Sequence, residues 1–222
     1  MKILPLGQSG YRIRSGNTEI IIDPYLSDSV NKVSGRARML PYYLDPKEIH
    51  CDAVICTHDH LDHLDPETVE QIDEKQFYIT TAEGVEKLKS LGRSNAKYLP
   101  HGESITVGDI KVTSVFALHS CEAMGVIVEA EGKRLYFSGD TLFDERLFAI
   151  ADHKPDVTFI CINGRLGNMN VEDALTTAKK IGAAVNGPAH YDMFESNSEN
   201  PLLFSERIDG GRVLDAGTEY EF

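Results

Sequence analysis

The stretch 51-CDAVICTHDHLDHLD-65 decides how the chain is read. Its first half, Cys51 to Thr57, is a short apolar run with the composition of a buried strand. Its second half then places His58, His60 and His63 beside Asp59, Asp62 and Asp65. Burying so many polar rings without partners costs several kcal/mol, and a metal ion satisfies them together. In an extended segment His58 and His60, two apart, project to one side and suit a single ion. Asp62 and His63, where the chain turns, can face a second ion beside it. Asp65 is set apart: it caps a helix that opens with Pro66 and Glu67.

Outward from this stretch the pattern alternates. Residues 2–6, 10–14 and 18–23 read as short strands separated by Gly, Ser and Asn turns. After the helix at 66–75, residues 77–80 form a strand, and Thr80 with Glu83 fits a capping box for a helix ended by Gly92. Strand runs follow at 97–100, 104–107, 110–118, 124–130 and 134–140. Helix signals return at 145–150, a strand at 156–162, and a helix capped by Asn170, with Val171, Ala174, Leu175, Ala178 and Ile181 on its apolar face. Residues 211–216 and 218–222 read as closing strands. Two packed sheets with helices outside bury this order, an α/β four-layer α/β/β/α sandwich. Periodicity alone also permits a three-layer α/β protein.

With 41% hydrophobic and 26% charged residues, the 222-residue chain suits one globular domain over 1–222, and no repeat or linker marks a boundary. The N-terminal apolar run is broken by Pro5 and Gly7, too short for a signal peptide or a membrane span, so the expected location is cytoplasmic. Cys51, Cys56, Cys121 and Cys161 have no C-x-x-C pairing and read as free thiols. His50, His101 and His153 read as structural or surface residues. A net charge of −13 argues against a nucleic-acid partner. Lys32, Arg36 and Arg38 nevertheless make the first 50 residues locally basic, suited either to a small anion or to a solvated loop.

The run "THDHLDHLD" matches the H-x-H-x-D-H signature of the metallo-β-lactamase-fold hydrolases. "IIDPY", "ALHS", "FSGDT" and "PAHYDMF" follow that superfamily in order. The resemblance implies that His58, His60 and His119 hold one divalent ion, that Asp62, His63 and His190 hold another, and that Asp140 bridges them. It makes Asp23 the residue that steadies the histidine loop. "DPYLSD", "INGRLGNMNVEDA" and "PAHYDMFESNSENP" are most similar to the L-ascorbate-6-phosphate lactonase group, although this chain is shorter. Zn, Mn and Fe are all compatible with such donors.

Two ions about 3.5–4 Å apart bind a bridging water and lower its pKa. With the resemblance this implies hydrolysis, by a metal-bridged hydroxide, of a small anionic metabolite such as a sugar-phosphate lactone or ester. The expected catalytic residues are Asp62, which accepts the proton, Asp140, which orients the nucleophile, and His190, mainly a ligand. Asn163, Arg165 and Asn168 lie in a loop suited to substrate contact, with Arg165 able to grip a phosphate bidentately. Tyr191 and Asp192 are candidates for shaping the pocket, and Arg36 and Arg38 for its far end. Small-molecule phosphodiester cleavage and a metal-binding scaffold without turnover are the competing readings. The resemblance leaves room for a homo-oligomer.

Overall fold

The computed structural model describes all residues, 1–222. Seven strands form one mixed sheet: β1 (Lys2–Gly7), β2 (Gly10–Ser15), β3 (Thr18–Ile22), β4 (Ala53–Ile55), β5 (Tyr78–Thr80), β6 (Ala96–Tyr98) and, at its far edge, β13 (Tyr220–Glu221), in the order β13-β1-β2-β3-β4-β5-β6. The other six, β7 (Ser104–Val107), β8 (Ile110–Phe116), β9 (Met124–Ala130), β10 (Lys133–Phe137), β11 (Val157–Cys161) and β12 (Val185–Ala189), form the second sheet in the order β12-β11-β10-β9-β8-β7. The helices are α1 (Ser29–Ser34), α2 (Pro66–Gln71), α3 (Ala82–Ser90), α4 (Val171–Ile181) and α5 (Leu202–Ser205), with a 3-10 helix at Glu145–His153. None is long and apolar enough to cross a membrane.

The strand period of two sorts the side chains into three apolar layers. Ile20, Ile22, Ala53 and Ile55 meet Val126, Val128, Leu135, Phe137 and Phe159 between the sheets. Ile21, Val54 and Tyr78 point the other way, onto Val69 of α2, Ile72 at its end and Leu88 of α3. Tyr136 and Ile160 meet Leu147, Ala174, Leu175 and Ala178 on the far side. Three cores between four layers give the α/β/β/α sandwich.

Local chemistry explains most boundaries. Asp65 caps α2 by accepting from Glu67 N at 3.2 Å, and its other oxygen takes the Thr68 hydroxyl. Asn170 caps α4 through Asp173 N at 3.0 Å. The cap of α3 is Thr81, which accepts from Gly84 N, not the expected Thr80, whose hydroxyl has no partner. Two strand readings also change. Residues 211–216 make only an isolated bridge, Gly211 to Asn186, whereas Val185–Ala189, unread as a strand and containing Gly187 and Pro188, is one. It lies at a sheet edge, where a proline costs no ladder hydrogen bond.

β3, β4 and β5 run parallel in one sheet, and β10, β11 and β12 run parallel in the other. The segments leaving β3, β4, β8, β10 and β12 carry Asp23, His58, His119, Asp140 and His190 respectively. Met124 N donates to Thr57 O at 3.0 Å and His190 N to Gln8 O at 2.9 Å, which ties the two sheets together beside these residues.

Candidate metal centre

After Ile55 the histidine segment runs through bends and turns rather than as an extended strand. His58 and His60 still approach each other, their ring centroids 4.6 Å apart, but curvature of the loop brings them together, not strand alternation. His119 completes the group, with Nε2 3.2 Å from His60 Nδ1. On the other side, His63 Nε2 lies 3.2 Å from Asp140 Oδ1 and 3.7 Å from Asp62 Oδ2. His190 Nε2 lies 3.3 Å and 3.4 Å from the same two oxygens. The second oxygen of Asp140 faces His119 Nε2 at 4.0 Å, so this carboxylate stands between the two groups.

His58, His63 and His119 are each aimed by their other nitrogen, His58 Nδ1 meeting Thr57 Oγ1 at 3.1 Å. Asp23 accepts from Thr57 N and Thr57 Oγ1, both at 2.7 Å, and meets His63 Nδ1 at 2.8 Å. His119 Nδ1 donates to the Gly167 carbonyl at 3.0 Å, which leaves Nε2 as the lone-pair nitrogen. Gly167 holds φ +92°, and a Cβ there would fall 2.8 Å from the His119 ring. Part of the "NGRLGNM" loop therefore orients a histidine. Neither Gly167 nor Thr57 was legible as a site residue from sequence.

Whether these side chains fit a cation is answered by what they leave unpaired. His58 Nε2, His63 Nε2 and Asp140 Oδ1 are buried without a hydrogen-bond partner; the His63–Asp140 approach is close but not aligned as a hydrogen bond. Buried polar atoms are normally partnered, and an ion between these is the partner that suits imidazole nitrogen and carboxylate oxygen at once. The donors fall into overlapping sets, His58, His60 and His119 with Cys121, then His58, His63 and Asp140, then Asp62, His63 and His190, each within 4.8 Å. Cys121, read from sequence only as a free thiol, thus lies beside the three-histidine group. Burial and then Asp59 push its thiol up to about 12.

Electrostatics separate the two groups. Burial and then the neighbouring His63 push His58 well below the usual imidazole range, and burial and His119 lower His60. Burial also acts to lower His63 and His190, but Asp140 and its neighbouring carboxylates overcome it and raise both, His190 to about 9. Burial works to raise Asp62 and Asp140, and the facing His63 and His190 outweigh it and hold both below the usual carboxylate range.

A cavity of about 500 Å³ opens on this centre, lined by His60, Asp62, Asp140 and His190 together with Arg36, Ser120 and Asn197 and an apolar wall that includes Leu61, Leu166 and Phe194. Among the expected substrate contacts only Arg36 lines it. Arg38 is instead a structural clamp, donating to the carbonyls of Tyr25, Ser27, Leu40 and Pro41. Arg165 is exposed and donates to the carbonyls of Ser196 and Ser198. Asn163 sits one residue back, donating to Asn197 Oδ1 at 2.9 Å, and Asn168 is buried outside the lining. Tyr191 and Asp192 line a different cavity, of about 280 Å³, and the Tyr191 hydroxyl donates to Leu214 O.

Comparison with known proteins bears on the family and the fold. Residues 18–191 match the beta-lactamase superfamily domain. A UPF0173 metal-dependent hydrolase of Enterococcus faecalis is 31% identical over 98% of both chains, and one of Staphylococcus epidermidis is 29% identical over the full length of both. Igni18, a metallo hydrolase from the archaeon Ignicoccus hospitalis, superposes with a TM-score of 0.80 at 25% identity, covering 100% of this chain and 98% of its own. An isothiocyanate hydrolase from Delia radicum gut bacteria shares the fold, with a TM-score of 0.83 at 20% identity over 100% and 99% of the two chains. With the domain matched over most of its length and a relative above 30% identity along nearly all of it, the chain belongs to the beta-lactamase superfamily and, within it, to the UPF0173 metal-dependent hydrolases.

Proposed function

We propose that the chain hydrolyses an ester or lactone bond in a small anionic molecule, a sugar phosphate being the favoured class, with two divalent cations in the centre. The observation that carries this is the cavity: candidate ligands form one part of its wall, and Arg36 is the sole Lys or Arg in its lining. His58, His60 and His119 would hold one cation, Asp62, His63 and His190 the other, and Asp140 would lie between. Bound there, the cations supply Lewis-acid polarisation of the scissile group and a water acidic enough to attack near neutral pH.

The chain's own residues do the rest. Arg36 has no hydrogen-bonding or ionic partner in the protein, so its guanidinium is free to take a phosphate or carboxylate. Leu61, Leu166 and Phe194 give the cavity an apolar side for the uncharged part of the substrate. Asp62 is the carboxylate to accept the proton: its side chain is 18% exposed against 6% for Asp140, which gives it a route to solvent, and its Oδ1 is not tied up by a neighbour.

The test is a substrate panel on protein reconstituted separately with Mn and Zn, comparing phosphorylated lactones and esters, uncharged esters and small phosphodiesters. Phosphorylated lactones or esters are the expected substrates, with turnover abolished by chelator. Arg36→Ala should raise KM for them about 10–100-fold, the worth of a charge-assisted contact, and leave uncharged esters unaffected. Turnover that survives chelation, or an equal loss on uncharged esters, would overturn the reading.

A further inference from the structure

Gln8 sits in the turn between β1 and β2, far in sequence from every residue of the centre, and it is only 4% exposed. Its backbone holds φ +56°, a conformation that non-glycine residues rarely adopt, and its carbonyl is pinned by His190 N at 2.9 Å. The end of its side chain reaches the centre: Nε2 is 2.7 Å from Asp62 Oδ2 and 3.0 Å from His190 Nε2. The other end of the same amide, Oε1, is buried with no partner.

We infer that Gln8 is a further ligand of the centre, its amide oxygen coordinating the cation held by Asp62, His63 and His190. This rests on the two-cation reading above. The spacing supports it, because neighbouring donors at right angles on an ion with bonds of about 2.1 Å lie about 3 Å apart, the separation found between the amide end and both Asp62 and His190. Orientation is the remaining requirement. An amide has a donor end and an acceptor end of nearly equal size, and a half-turn of the terminal torsion exchanges them. Facing Asp62 alone, the N–H end is favoured; facing a cation that Asp62 also binds, the oxygen end is favoured, and the atom without a partner gains one.

The assignment has a chemical consequence. With Gln8 the carboxylate-rich half offers two carboxylates, two imidazoles and an amide carbonyl. That set exceeds the four donors of a tetrahedral zinc site and suits a harder, higher-coordinate ion such as Mn²⁺.

The experiment titrates the full chain with Mn²⁺ by calorimetry and counts water ligands on bound Mn²⁺ from ¹⁷O-water broadening of its paramagnetic resonance, for the native chain, Gln8→Leu and Gln8→Glu. The native chain should bind two ions. Gln8→Leu should weaken one of them about tenfold or more and add one water ligand, while Gln8→Glu, which keeps an oxygen at the same reach, should restore affinity and the native water count. If Gln8 merely donates to Asp62, no oxygen ligand is lost and the water count on Mn²⁺ bound to Gln8→Leu should stay native. That result, or a Gln8→Glu chain that fails to restore the native water count, overturns the assignment and leaves the two-cation reading standing. A native chain that binds fewer than two ions overturns both.

Discussion

The two halves of the centre use the same side chain, histidine, and tune it in opposite directions. His58 is oriented by a threonine hydroxyl and His119 by a backbone carbonyl, and His60 faces His119 at 3.2 Å. Neutral orienters add no negative charge, so burial decides, and His58 and His60 stay unprotonated with their lone pairs available. His63 and His190 are surrounded by Asp23, Asp62 and Asp140, and there the carboxylates decide. One half therefore offers nitrogen donors at no electrostatic cost, and the other offers charge that a proton or a cation must neutralise. On the proposed two-cation reading, a cation entering the carboxylate-rich half would displace a proton from His190.

Asp140 is where the comparison breaks most completely, because its two oxygens face both halves. Asp140→Ala should lower turnover by at least about 10²–10³-fold, the scale of removing one preorganised electrostatic contact, and reduce metal content in both halves. Metal analysis alongside kinetics checks this; a variant that keeps both ions and full rate would end the view of Asp140 as a link. Asp23→Asn is next and touches one half. It weakens the orientation of His63 and should cost about 10–100-fold in affinity for the cation of the carboxylate-rich half only. Gly167→Ala is the matching test for the three-histidine half. The strained φ and the contact with His119 should lower that half's affinity about tenfold and global stability by about 1–2 kcal/mol in denaturant titrations. Variants that each weakened both halves equally would show that the halves are not separate.

The same contrast explains what could be read in advance. The histidine segment, the strands around it and the caps at Asp65 and Asn170 are local in sequence, and local pattern carries them. The four-layer order follows from alternation, since Ile20, Ile21 and Ile22 already divide between two cores. Gln8 was illegible because its meaning depends on residues 62 and 190 arriving beside it. The surroundings of the arginines were illegible for a related reason: Arg165 sits in a loop rich in polar residues and donates to backbone carbonyls, while Arg36, two residues past the end of α1, lines the cavity. Sequence shows which residues carry charge, but only the fold shows which of those charges are already neutralised or engaged.

A pH profile sharpens the contrast in the metal-free protein. His190 is raised from 6.5 to about 9 and His63 is raised as well, so between those values the folded state binds more protons than the unfolded chain. Their stabilisation is fully present below about pH 6.5 and is lost as pH rises through about 9. His58 and His60 are lowered, so the unfolded chain binds more protons as pH falls below 6.5, and their share of stability is lost on that side. Chelator-treated protein should then be most stable near pH 6.5 and lose up to about 1.4 kcal/mol per pH unit for each proton on either flank, measured by urea unfolding across the range. Asp23→Asn weakens the support for a protonated His63 and should flatten the alkaline flank alone. A profile in which both flanks changed together would mean that one shared environment, not two, sets the state of these histidines.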